Sequence, residues 1–177
     1  MVRCFIGINL PEDVREKVLS VQDFLKKLNL NCKFVEPENF HISLSFLGEI
    51  SEGGANEISI KLNGVCKRYL KFSLTMSSII LIPDPNFIKV IALGVTDQSG
   101  TLSVLSRSVK NEIGGDMKPP HITLCRVKAR IDKDVVSKIK TATITPIEMK
   151  VNSICIVRSE LLERGPVYTT ISESKLL

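Results

Sequence analysis

His41-Ile42-Ser43-Leu44 and His121-Ile122-Thr123-Leu124 decide the reading of this chain, because they hold its only two histidines and share one pattern. Imidazole, Ile, hydroxyl, Leu is an alternation of period two. In a β-strand it sets the ring and the hydroxyl side by side on one face and the two aliphatic residues on the other. A lone histidine in an apolar strand is usually a hydrogen-bonded core residue. Two histidines that make up the whole complement, each followed by the same alternation, argue for a shared task. Strands of this kind facing each other would set two imidazoles and two hydroxyls around one small anion.

The flanks of the motifs repeat a second kind of order. Phe5 to Leu10 reads as a short apolar strand, and Pro11 suits the first turn of a helix. Val14, Val18, Val21, Leu25 and Leu28 recur at helical spacing and predict an amphipathic helix over 11–29. A brief strand at Lys33-Phe34-Val35 and punctuation at Pro37 and Asn39 lead into the first histidine strand, expected to run to Gly48. Ser51 can cap a second helix bearing Ile58, Leu62, Val65, Cys66 and Tyr69. Strands follow at about 71–82 and 87–95, divided by the turn signal Pro83-Asp84-Pro85-Asn86. A third helix carries Leu102, Leu105, Val109 and Ile113 and stops at Gly114-Gly115. Pro119-Pro120 opens the second histidine strand, and Asp132 can cap a short helix to about residue 141. Residues 146–158 and 167–173 read as strands, joined through Arg164-Gly165-Pro166.

Laid end to end, helix, histidine strand, helix and strands occur twice, with the motifs about eighty residues apart. The order predicts an α+β protein: a bilobal, pseudo-two-fold fold of two small antiparallel sheets backed by helices, with a central cleft. No linker-like or low-complexity segment divides the halves. Residues 1–177 are therefore expected to form a single two-lobed domain.

Composition narrows the class of function. Hydrophobic residues at 44% and charged residues at 24% are ordinary for a globular protein. A net charge of +5 and a pI near 9.0 favour a phosphorylated or polyanionic ligand. The basic runs Lys26-Lys27 and Lys67-Arg68 are too short for a nucleic-acid-binding tail. Five scattered cysteines without a C-x-x-C pair argue against a disulfide framework or zinc knuckle and fit a reducing cytosol. The start, MVRCFIGINLPED, is too short in its apolar run for a signal peptide, and no stretch of about 20 apolar residues could cross a bilayer. A cytoplasmic protein, with no membrane partner, is the expectation.

The chemistry that suits this residue set is displacement at phosphorus. An unperturbed histidine pKa near 6.5 lets one ring act as acid and the other as base near neutrality. The Ser43 and Thr123 hydroxyls can donate to non-bridging oxygens, where charge develops. With two histidines in all and no H-x-x-x-H or carboxylate cluster, no metal or other cofactor is called for. Five places after each histidine stand Phe46 and Arg126. A plain pleat turns both away from the ring face, so either they serve the lobe interiors or a bulge re-aims them. If they emerge on the ring face, they can sandwich a nucleobase between an aromatic ring and a guanidinium plane. Lys118 is a candidate outer phosphate contact, though a solvated loop lysine is the plainer reading.

These residues resemble the two-histidine phosphoesterase superfamily, and within it the RNA 2′,3′-cyclic phosphodiesterases also called 2′-5′ RNA ligases. The resemblance is carried by RCFIGINLPEDV, FVEPENFHISLSFLGEI, KPPHITLCRVK and SELLERGPVYTTIS, and so spans nearly the whole chain. It implies a bilobal fold with both motifs facing a cleft. It also implies metal-independent opening of a 2′,3′-cyclic phosphate at an RNA end to leave a 2′-phosphate. On this resemblance His41 is the general acid, His121 the general base, Ser43 and Thr123 hold the phosphate, and Arg126 grips phosphate or base. Reversal would join RNA ends through a 2′-5′ linkage. Ser43 stands where threonine is commoner and a mid-chain Trp is missing, yet serine keeps the donor. A monomer acting on RNA ends or small cyclic nucleotides is the resulting expectation. Two other readings stay open: a phosphodiesterase for another cyclic nucleotide or a 2′-5′ oligonucleotide, and a non-catalytic nucleotide- or RNA-binding module. The second makes poor use of an acid and a base.

Overall fold

A computed structural model describes residues 1–163 and 165–177; Arg164, in the connection expected at 164–166, lies outside the described residues. In chain order the elements are β1 (Val2–Asn9), α1 (Glu12–Lys26), β2 (Cys32–Phe34), a 3₁₀ turn (Pro37–Asn39), β3 (His41–Ile50), α2 (Glu52–Cys66), β4 (Phe72–Asp84) and β5 (Phe87–Thr96). Then come α3 (Thr101–Glu112), β6 (Asp116–Met117), β7 (His121–Val127), α4 (Lys133–Thr141), β8 (Ile147–Val151), β9 (Ser153–Leu162) and β10 (Gly165–Lys175). The class is α+β, as the alternation of the sequence implied.

Local chemistry accounts for the boundaries. Ser51 caps α2, its Oγ accepting from the Gly54 N–H at 3.0 Å. Asp84 accepts from the N–H groups of Asn86 and Phe87 and closes the β4–β5 hairpin. Asp132 stands at the cap position of α4 but its side chain makes no capping bond there. Helix α1 stops at Lys26, earlier than the expected 29, because a tightened turn runs Leu28 N–H to Leu25 O and Asn29 adopts a φ of 52°. Leu28 still packs on the core. Strand β3 outlasts Gly48 because its pairing with β1 continues to Val2↔Ile50.

All strand pairs are antiparallel, and the order is β10-β9-β1-β3-β7-β5-β4-β8, with β6 added beside β3 and β2 beside β7. The expected two small sheets are therefore continuous. They are stitched between β3 and β7 at Ile42↔Ile122, the one ladder pair between these strands among the described residues. Beyond that pair β6 takes up Ser45 and Phe46, and β2 takes up Cys125, Arg126 and Val127. The order mirrors about this seam: β1 answers β5, β9 answers β4 and β10 answers β8. Residues 146–158, expected as one run, break at Asn152 into β8, which forms one edge of the sheet, and β9, which lies second from the other edge.

One buried cluster runs through both halves, including Ile6, Ile42 and Leu44 with Ile91, Ile122 and Leu124. Val14, Val18, Val21 and Leu25 of α1 join it. Gln22, 1% exposed on the same helix face, donates to the carbonyls of Val35 at 2.7 Å and Leu124 at 3.0 Å. A buried amide can be tolerated there because those carbonyls satisfy it. A second, small cluster of Phe5, Cys155 and Val157, with Tyr168 packed on it, lies on the opposite face of the sheet. That face carries the histidines.

Candidate active site

Strands β3 and β7 open with the same burial sequence over seven residues: half-buried His, buried Ile, half-buried hydroxyl, two buried residues, an exposed one, a half-buried one. Two consecutive buried positions break the alternation, and the register shows why. In β1–β3 the partners step from Gly7↔Ser43 to Ile6↔Ser45, leaving Leu44 unpaired. In β5–β7 they step from Ala92↔Thr123 to Ile91↔Cys125, leaving Leu124 unpaired. Each motif thus ends in a bulge, and Leu124's carbonyl is occupied by Gln22 and the Val35 N–H. The extra residue restores Phe46 and Arg126 to the histidine face. Phe46 pairs with Phe5, and Arg126 with Val90. Of the two options for these residues, the bulge is the one realised.

Ile42 and Ile122 are fully buried and directly paired, so the flanking residues turn to the other face together. One step along that register sets His41 across from Thr123 and Ser43 across from His121. Opposite positions in such a pair lie about 4.5–5.5 Å apart and diagonal ones about 7–8 Å, a span that one phosphate can bridge. Both imidazoles are fixed alike at their inner nitrogen. His41 Nδ1 bonds the Asn39 carbonyl at 2.7 Å and His121 Nδ1 bonds the Pro119 carbonyl at 2.8 Å. A carbonyl only accepts, so Nδ1 carries the hydrogen in both rings and Nε2 is left for chemistry. His41 Nε2 lies 2.9 Å from Ser43 Oγ.

Burial pushes the pKa of His41 below the ordinary histidine value of 6.5; the Asn39 carbonyl pulls it back up, and the charges of His121 and Arg126 push it down again. Three aromatic rings meet here. Phe5 lies 4.6 Å from His41 at 33°, Tyr168 stands edge-on to His41 at 4.9 Å, and Phe5 and Tyr168 are 5.3 Å apart. Gly7 makes room for them: a Cβ there would sit 3.1 Å from the Phe5 ring and 2.6 Å from the Ile42 carbonyl. Phe46 is 43% exposed, with its ring 6.0 Å from Phe5. Arg126 is exposed, and its charge lowers the pKa that burial otherwise raises at Tyr168. Lys118 is exposed and ion-paired with Asp116 at 2.7 Å, the solvated loop lysine of the plainer reading.

A cavity of about 210 Å³ opens beside His41, lined among others by Phe5, Asn9, Arg15, Tyr168 and Thr170. The larger hollow, about 520 Å³ between α1 and residues 142–147, touches neither histidine. Among the described residues no group of three or more His, Cys, Asp or Glu is arranged to hold a metal ion. Phe5, Asn39 and Tyr168 were not singled out as site residues by the strand pattern. Tyr168 had a signal in the G-P-x-Y tail; Phe5 had none, because its role depends on the register of β1 with β3.

Residues 8–91 match the family described as LigT-like phosphoesterase. The RNA 2′,3′-cyclic phosphodiesterase of Methanothermobacter thermautotrophicus is 32% identical over 99% of both chains. That of Aquifex aeolicus is 31% identical over 98% of this chain and 96% of its own. Among solved structures, TT0787 of Thermus thermophilus superposes with a TM-score of 0.81 at 23% identity, covering 98% of this chain and 97% of that one. E. coli LigT in its apo form superposes with a TM-score of 0.77 at 22% identity, covering 99% and 97%.

Proposed function

The chain belongs to the LigT-like phosphoesterase family, and from that premise we propose that it is a hydrolase that opens 2′,3′-cyclic phosphates at RNA ends to 2′-phosphates without a metal. The observation that carries the reading is the matched pair of histidines. Both hold Nδ1–H on a backbone carbonyl and turn Nε2 to one face, with a hydroxyl two residues on.

In this mechanism His121 Nε2 takes a proton from water, whose oxygen attacks phosphorus in line with the 3′ oxygen. The bond from phosphorus to O3′ breaks, and the proton on His41 Nε2 passes to O3′, leaving a 2′-phosphate. Ser43 and Thr123 hold the non-bridging oxygens, Arg126 grips phosphate or base, and Phe46 stacks on the base. An acid must arrive protonated, and burial disfavours that state at His41. The anionic phosphate reverses the balance, since an opposite charge beside the ring favours imidazolium. Protonation also frees Ser43: neutral Nε2 accepts the hydroxyl's hydrogen bond, whereas imidazolium donates to Oγ and lets the hydroxyl's own hydrogen turn to phosphate. Each positioned proton transfer is worth about 10²–10⁴-fold. Run backwards, the same groups would join a 5′-hydroxyl to the cyclic phosphate through a 2′-5′ bond.

We read residues 1–177 as one two-lobed domain, a reading supported by the core the halves share. Five free cysteines support a reducing, cytoplasmic setting, and among the described residues no helix is long and apolar enough to cross a membrane. A monomer is the expected form. Incubation with 2′,3′-cyclic AMP and with an RNA ending in a cyclic phosphate, in excess chelator, tests the reaction. The expected product is the 2′-phosphate from both. A 3′-phosphate product, or activity that chelator abolishes and one metal restores, overturns it.

A further inference from the structure

We propose that Tyr168 is a positioning residue for His41: β10 straps its ring edge against the imidazole, over Phe5, and so keeps Nε2 on Ser43 and facing the cleft. The three rings contact one another in a closed triangle. Two hydrogen bonds hold the strap, one on each side of the tyrosine. Asn39 Nδ2 donates to the Pro166 carbonyl at 2.9 Å, and Asn9 Nδ2 donates to Thr170 Oγ1 at 2.8 Å. Asn39 acts twice, because its own carbonyl takes the Nδ1–H of His41. The tail strand, the turn before β3 and the ring thus form one unit. Among the described residues His121 has no aromatic neighbour of this kind.

An edge-on aromatic ring confines the imidazole by contact and keeps water from its sides. The confinement leaves Nε2 a single approach, which is the benefit of orientation in a proton transfer. The lowered pKa of His41 is the companion sign of that enclosure. Charged and titratable groups near this ring are His121 and Arg126 on β7, Tyr168 on β10, Glu38 in the 3₁₀ turn, Arg15 on α1 and Cys155 on β9. Glu38, the one carboxylate among them, makes no bond to the imidazole, so enclosure dominates.

The test uses the fact that the chain has two histidines, and hence two imidazole NMR signals, assignable with His41→Gln. Titration of Tyr168→Leu is expected to move the His41 midpoint up toward 6.5, while Tyr168→Phe leaves it in place. On 2′,3′-cyclic AMP, Tyr168→Leu is expected to lose about ten- to a hundredfold in kcat with KM changed less than about twofold. Asn39→Ala, which keeps the carbonyl and removes only the tie to Pro166, moves both readouts the same way by less; it stands in if Tyr168→Leu fails to fold. An unmoved midpoint and kcat in Tyr168→Leu, or in Asn39→Ala, overturns the proposal. So does a Tyr168→Phe variant as impaired as Tyr168→Leu, since the hydroxyl would then be the active part. The kinetic arm rests on the proposed reaction, but the titration does not, so the two can fail separately.

Discussion

The halves about the Ile42↔Ile122 seam carry the same motif, the same burial sequence and the same bulge, yet they surround their histidines differently. Position by position, Asn9 beside His41 answers Gly94 beside His121, Gly7 answers Ala92, and Phe5 answers Val90. One half therefore lays an aromatic floor under its imidazole, and the other offers small residues. The lesson is that a repeated motif sets which side chains share a sheet face, whereas the neighbouring strands set what encloses each ring.

The largest effect is expected at the rings themselves. His41→Ala and His121→Ala should each lower turnover of 2′,3′-cyclic AMP by at least about 10², with nucleotide binding retained in calorimetry. Near-normal turnover in either variant removes that ring from the mechanism. Next come the hydroxyls. Ser43 Oγ bonds His41 Nε2 and is proposed to hold phosphate as well, whereas the Thr123 hydroxyl has no hydrogen-bond partner among the described residues. Ser43→Ala should then cost about 10³ in kcat and Thr123→Val about 10², the range for loss of one oxyanion donor. A reversed order would make the halves less different than the geometry implies.

Smaller effects concern stability. An added Cβ at Gly7 meets the Ile42 backbone oxygen at 2.6 Å, but at Gly94 it meets the tips of Ser78 and Ile80 at 3.1 and 3.2 Å. Backbone cannot give way as a side-chain tip can. Gly7→Ala should cost about 1–3 kcal/mol in urea denaturation and Gly94→Ala less than about 1; equal losses would erase this difference. The smallest effect is in pH. His41 resists a proton in the folded chain, so the unfolded chain binds more protons between the folded midpoint and 6.5. Stability should thus fall as pH drops through 6.5 and stop falling below the folded midpoint. The same titration in His41→Gln should lack that share of the slope.

Much of the site was legible because a strand's period of two is a local property. His41, Ser43, His121 and Thr123 could be assigned to one face from four-residue patterns, and the elements lie close to where apolar spacing placed them. Phe46 and Arg126 could not be assigned, since their direction depends on bulges at Leu44 and Leu124 that appear only in the register with β1 and β5. The break at Asn152 was hidden for a related reason. Residues on either side of it are strand formers, and only their partners, β4 and β1, differ.

By itself the sequence determined the candidate groups: two imidazoles, two hydroxyls and the alternation that seats them together, all fixed by covalent spacing along a strand. The tertiary structure alone decided that Ile42 and Ile122 form the one ladder pair between β3 and β7 among the described residues, and that Phe5 and Tyr168 enclose His41. Phe5, His41 and Tyr168 are brought together by sheet pairing across more than a hundred residues. Desolvation depends on what surrounds a group in space, and no local pattern carries that information.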